Sequence, residues 1–84
     1  MEMPNQPRML KLIWDFRGPE SERTATHHAV HLKEYAQANH LQVGITGVEP
    51  LNENHHIAFL VVNEEEMVPV RDALKPHRGQ LYLA

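Results

Sequence analysis

From Met9 to Arg17 the chain reads MLKLIWDFR, and its side chains alternate. Leu10, Leu12, Trp14 and Phe16 form one set; Lys11, Ile13, Asp15 and Arg17 form the other. A period of two predicts a strand with one apolar and one mixed face. Gly18-Pro19 ends it, and Glu20 and Glu22 then supply the negative charge favoured at a helix N-terminus. Between about Ser21 and Asn39 the period changes. Ala25, Ala29, Leu32 and Ala36 fall on one stripe at i, i+4, i+7 and i+11, which predicts an amphipathic helix flanked by Tyr35. Asn39 is a candidate left-handed stop.

Alternation returns in LQVGITGV, residues 41–48, which predicts a second strand. The stretch Glu49 to Asn54, EPLNEN, has turn chemistry, and HHIAFLVV, His55 to Val62, is a third strand. Asn63 followed by Glu66 has the spacing of a capping box for a second helix. Pro69 would then kink that helix, or move its start nearer Glu66. Met67, Val70 and Leu74 form its apolar side; Pro76 and Gly79 close it, and QLYLA is a last short strand. The order is β-α-β-β-α-β, the split pattern of ferredoxin-like α+β domains: a four-stranded antiparallel sheet with both helices on one face.

The third strand adds a constraint. His56, Ala58, Leu60 and Val62 point one way, and Ile57, Phe59 and Val61 the other. Both sets are largely apolar, so this strand is expected to be buried on both faces. Two helices cover one face only. Each large apolar side chain left in water forgoes about 1.5–3 kcal/mol, and apolar patches of this size are uncommon on monomers. The expected solution is a homodimer joined through the sheet face by a two-fold axis. The competing arrangement covers that face with the N-terminal tail.

Size and composition narrow the picture. Eighty-four residues allow one domain, expected over residues 8–84 behind a loose polar tail at residues 1–7. A chain this short buries roughly 60–65% of its unfolded surface and commonly needs a disulfide, a metal or a partner subunit. Cysteine is absent, which removes disulfides and thiolate zinc sites. A net charge of −3 argues against a nucleic-acid-binding surface, which carries a basic stripe. No apolar run approaches the roughly 20 residues of a membrane span. The start, MEMPNQPR, has no signal-peptide character, so a cytoplasmic protein is expected.

Histidine is the chemistry-bearing residue here, with seven in the chain. Threading the chain up and down through the expected topology collects His27, His28, His31, His55, His56 and His77 at one end, with Asp15, Arg17 and Arg78; only His40 lies at the other. At about 100° per residue, His28 lies about 50° from the centre of the helical apolar stripe, His31 about 110° and His27 about 150°. His28 therefore borders the core. His27 and His31, spaced i, i+4, share a helix face.

Three chemistries compete for this end. One is a metal site using His27, His31 and His55, with zinc as the representative ion. Another is a small-molecule pocket with acid–base chemistry by His31, His28 and Asp15, the carboxylate fixing an imidazole tautomer. Lys11, Arg17, His56, His77 and Arg78 would then contact the ligand. The third is anion capture by KPHRG, Lys75 to Gly79, close to the first helix N-terminus. The same cations also serve simply to complement a helix C-terminus.

The short first strand, HAVHL (His28 to Leu32), the GITG strand and the IAFLVV strand together resemble the small dimeric α+β barrel proteins, including the YCII-related group. That resemblance implies two ferredoxin-like subunits joined through their sheets, with a pocket between the helical layer and the inner sheet face. It also implies an active pair of a helix histidine and an aspartate. His31, followed by Leu32, matches the histidine; where the group has aspartate-proline, this chain has Lys75-Pro76-His77. The functional expectation is binding of a small polar or anionic molecule in a histidine-rich pocket, with histidine proton transfer. The alternatives are a non-catalytic interaction or regulatory module, and a histidine-based metal-binding protein.

Overall fold

The alternating segment at the start of the domain forms β1 (Met9–Arg17), as the period predicts. It is followed in a computed structural model, which describes residues 8–82, by α1 (Ser21–Ala38), β2 (Ile45–Asn52) and β3 (His55–Asn63), then α2 (Glu64–Leu74) and β4 (Arg78–Tyr82). The expected tail at residues 1–7 lies outside the described residues. The sheet order is β2-β3-β1-β4 with every neighbouring pair antiparallel, which is the ferredoxin-like arrangement. No helix among the described residues is long and apolar enough to cross a membrane.

Both helices pack on one sheet face. Leu12 and Trp14 of β1 and Ala58, Leu60 and Val62 of β3 meet Ala25, Leu32 and Ala36 of α1 and Val70 of α2 in one core. Trp14 has a second task. Its indole Nε1–H donates to the Leu74 carbonyl at 3.1 Å, satisfying one of the orphan acceptors at the end of α2.

The opposite face is closed differently. Ile13, Ile57 and Val61 are buried there without a helix above them. Long charged side chains lie across them instead. Lys11 reaches over β3 to Glu49 on β2, Nζ to Oε1 3.1 Å, and its ammonium sits 4.5 Å from the centroid of the Phe59 ring. The stem of a lysine covers apolar surface while its head stays polar. Phe59 in turn lies flat on Gly47: a Cβ at Gly47 would stand 2.7 Å from Phe59 Cζ. An aromatic ring laid across a strand glycine replaces the packing that the glycine cannot supply. β3 is thus buried on both faces, and the burial asked of Ile57 and Val61 is met within one chain. Phe59 and Ile45, the latter 44% exposed, remain partly open on this face.

Element boundaries depart from the sequence pattern where side chains found other partners. Asn63 precedes α2 but makes no cap hydrogen bond. Its amide donates to Gln42 Oε1 at 2.8 Å, and Glu66 accepts from the Gln42 backbone N–H at 3.1 Å. Both residues of the expected capping box hold the α1–β2 loop instead. That loop takes residues 41–44 out of β2, with Gly44 at φ +59°. β2 runs on to Asn52 through Pro50, a position open to proline because β2 is an edge strand. His40 (φ 54°), not Asn39, takes the left-handed conformation after α1, and Lys75 (φ 53°) takes it after α2. Gly79 does not close α2; it lies inside β4 opposite Leu12.

Gly47→Ala should drive the Phe59 ring off β2 and uncover the apolar floor beneath it. The expected loss is about 1–3 kcal/mol in urea unfolding. An alanine variant as stable as the parent would mean that the ring does not depend on this glycine.

Candidate functional site

On the open face the register places Arg17 opposite His55, Asp15 opposite Ile57, and Ile13 between Phe59 and Arg78. Asp15 is then a diagonal neighbour of both His55 and Arg78, and it bonds both. His55 Nε2 lies 2.8 Å from Asp15 Oδ1. Arg78 grips the carboxylate with two parallel bonds, Nε to Oδ2 at 2.9 Å and Nη2 to Oδ1 at 3.0 Å. Planar two-point contact of this kind is the strong form of the Arg–carboxylate pair. The bridge crosses three strands, β3-β1-β4. The Asp15 side chain is 15% exposed, His55 11% and Arg78 46%.

The Arg78 hydrogen bonds hold the Asp15 carboxyl far below the usual carboxylate range; burial opposes this, and the His55 bond adds to it. The same bond raises Arg78. A carboxylate that stays ionised accepts the His55 Nε2–H. In the neutral ring this leaves the lone pair on Nδ1, which makes no hydrogen bond among the described residues. Asp15 is also held through its backbone: its N–H donates to His77 Nδ1 at 2.9 Å, while the His77 N–H donates to the Ile13 carbonyl at 2.9 Å.

Other histidines gather at the same end but on different surfaces. His56 lies on the helix side of β3, where Ser21 Oγ meets its Nδ1 at 2.7 Å and both residues are buried. His28, half-buried on α1, fits between Trp14 and Phe16, with ring centroids 5.1 Å and 5.4 Å away. Its Nε2 is buried without a partner among the described residues. Burial, and then the neighbouring His31, His77 and His27, push its pKa down. His27 and His31 stand on the exposed side of α1, Nε2 to Nε2 3.1 Å.

The residues expected to form one pocket therefore divide. Asp15, His28 and His31, the expected proton-transfer group, do not converge: Asp15 is on the open face, His28 packs against Phe16 on the helix side, and His31 bonds Glu34 and His27 in solvent. Of the expected ligand contacts, Lys11, Arg17 and Arg78 share the open face with Asp15, while His56 bonds the Ser21 hydroxyl on the helix side and His77 Nδ1 accepts the Asp15 backbone N–H. Of the expected metal ligands, His27 and His31 pair and His55 stands apart with Asp15. Among the described residues no group of three or more histidines and acids is placed to hold a metal ion. Of the KPHRG cations, Arg78 is taken by Asp15 and Lys75 Nζ by the Asp72 carbonyl.

Sequence reasoning missed the Asp15–His55 pairing as the centre of the site. That pairing is created by the β1–β3 register, which sets Asp15 diagonal to His55 and which the alternation of the two strands does not fix; EPLNEN also gave no sign that β2 runs as far as Asn52. Comparison with protein-family models, with curated proteins and with solved structures returns no match.

Two stability measurements check these placements. Asp15→Asn should cost about 1.5–3 kcal/mol at pH 7, the worth of hydrogen bonds to a charged group. Because the Asp15 pKa is depressed by folding, its contribution is complete above the ordinary carboxyl value of 3.8 and is lost as pH falls below it. His28 is also depressed, so the unfolded chain takes up its proton first. Stability should therefore decline as pH falls through 6.5, and His28→Leu should remove that slope in urea unfolding series.

Proposed function

We propose that the chain binds a small polar or anionic molecule on the open sheet face above Asp15, with His55 exchanging a proton with it. The bridge from His55 through Asp15 to Arg78 carries this reading. An imidazole whose Nε2–H is held by a fixed carboxylate presents a basic Nδ1, the arrangement required of a general base or of a hydrogen-bond acceptor toward an acidic group. Arg17, directly across from His55, adds positive charge. The apolar floor of Ile13, Ile57 and Phe59 lowers the local dielectric and strengthens each polar contact made above it. His55 takes the role that the sequence pattern suggested for His31.

A second copy of this chain is the natural cover for the site, because Phe59 and Ile45 stay partly open on the same face. Two-fold pairing of open faces would enclose both Asp15–His55 pairs and exclude water from them. Light scattering should then give twice the chain mass. Ile45→Glu should return the mass of one chain.

The binding claim is tested by following imidazole nitrogens during titration with sodium phosphate and sodium acetate. His55 Nδ1 should shift saturably with at least one of them. His55→Gln and Arg17→Ala should each weaken binding about tenfold or more, a loss of about 1.4 kcal/mol. No shift at His55, or equal binding by both variants, overturns the reading.

A further inference from the structure

Outside that face, the exposed side of α1 carries an arrangement that the Asp15 site does not use. His27 and His31 are one turn apart, and their Nε2 atoms approach to 3.1 Å with the rings nearly perpendicular. Glu34, three residues further, lies 3.2 Å from the other nitrogen of His31, Nδ1. A carboxylate that accepts from Nδ1–H leaves the lone pair on Nε2, facing His27.

We propose that His27 and His31 chelate one divalent transition-metal ion of the zinc class, with Glu34 as the positioning residue for His31. Zinc binds imidazole nitrogen at roughly 2.0–2.1 Å, so two such ligands stand about 3.3–3.4 Å apart at a tetrahedral angle and about 2.9 Å apart at a right angle. The observed 3.1 Å falls between these limits. In the metal-free protein His27 donates its Nε2–H to the His31 Nε2 lone pair; when the ion binds, that proton moves through solvent to His27 Nδ1, so both rings stay neutral and both Nε2 lone pairs face the ion. Both side chains are exposed, so a small rotation about χ2 turns both lone pairs toward a common point without disturbing the core.

Glu34 to His31 Nδ1 is the carboxylate–histidine contact that orients imidazole ligands and raises their basicity. Two nitrogen ligands favour a borderline ion over the hard magnesium or calcium ion, which prefers oxygen. Water fills the remaining positions, making this an exchangeable site and not a structural one. It is separate from the proposed anion site: His55 and Asp15 lie beyond the sheet, on its other face.

The test is calorimetric titration of the full chain with zinc chloride, paired with nitrogen NMR of the seven imidazoles. One ion per chain is expected, with Nε2 of His27 and His31 shifting together and His55 unmoved. His27→Ala and His31→Ala should each weaken zinc at least about tenfold; alanine is the best helix former, so α1 persists in both. Glu34→Gln should weaken it about tenfold, the lower end of the effect of losing an outer-shell partner. His55→Gln should leave zinc affinity unchanged, and magnesium chloride should give no heat. Absence of zinc binding overturns the proposal. So does parent-like affinity in the His27 and His31 variants, or a shift spread evenly over all seven rings.

Discussion

The structure turns on a strand that must be dry on both sides in a chain with helices for only one. β3 is the inner strand between β2 and β1, and its residues from His55 to Val62 are buried or nearly so whichever way they point. On one side the solution is ordinary: Leu60 and Val62 meet Leu32, Ala36 and Val70 across a sheet–helix core. On the other, the apolar floor of Ile13, Ile57 and Val61 is covered by charge. Lysine and arginine suit this use, because their stems shed water while their heads seek partners. Lys11 finds Glu49 and the Phe59 ring; Arg78 finds Asp15.

Such a cover has a chemical by-product. Taking Asp15 largely out of water is costly unless its oxygens are fully engaged, and Arg78 alone would leave the His55 side of the carboxylate open. With both partners present, the carboxylate is ionised, fixed and flanked by an oriented imidazole. The arrangement that seals the sheet face is thus the one suited to exchanging a proton there. Stabilisation and candidate chemistry rest on the same three residues. This is also why Asp15 is anchored twice, by side chain and by the backbone bond to His77.

Much of this was visible in the order of residues. The change of period between Met9–Arg17 and Ser21–Ala38, and its return at His55, set out the ferredoxin-like order. Gathering of histidines at one end also follows from that order, and the Ser21–His56, Asp15–His55 and Phe16–His28 contacts bear it out. Alternation separates neighbouring strand residues onto opposite faces, but a one-dimensional pattern does not carry which residue of the next strand lies beside each of them. His55 and His56 are adjacent in sequence and face opposite layers. His31 and Asp15 looked like partners because both lie at the same end, yet a sheet stands between them. Register was the missing quantity. Asn63 and Glu66 failed as a capping box for a related reason: a long-range partner, Gln42, competed successfully with a local one.

Because the Arg78 part of the cover and the orientation of His55 both pass through one carboxylate, its protonation is the most direct probe. The side-chain carboxyl carbon of Asp15 can be followed by NMR as the folded protein is acidified. A carboxylate held by Arg78 and His55 should remain ionised well below pH 3.8, with no titration step before unfolding begins. A step near 3.8 in the folded protein would mean that Asp15 is effectively solvated, and the bridge across β3, β1 and β4 would not exist.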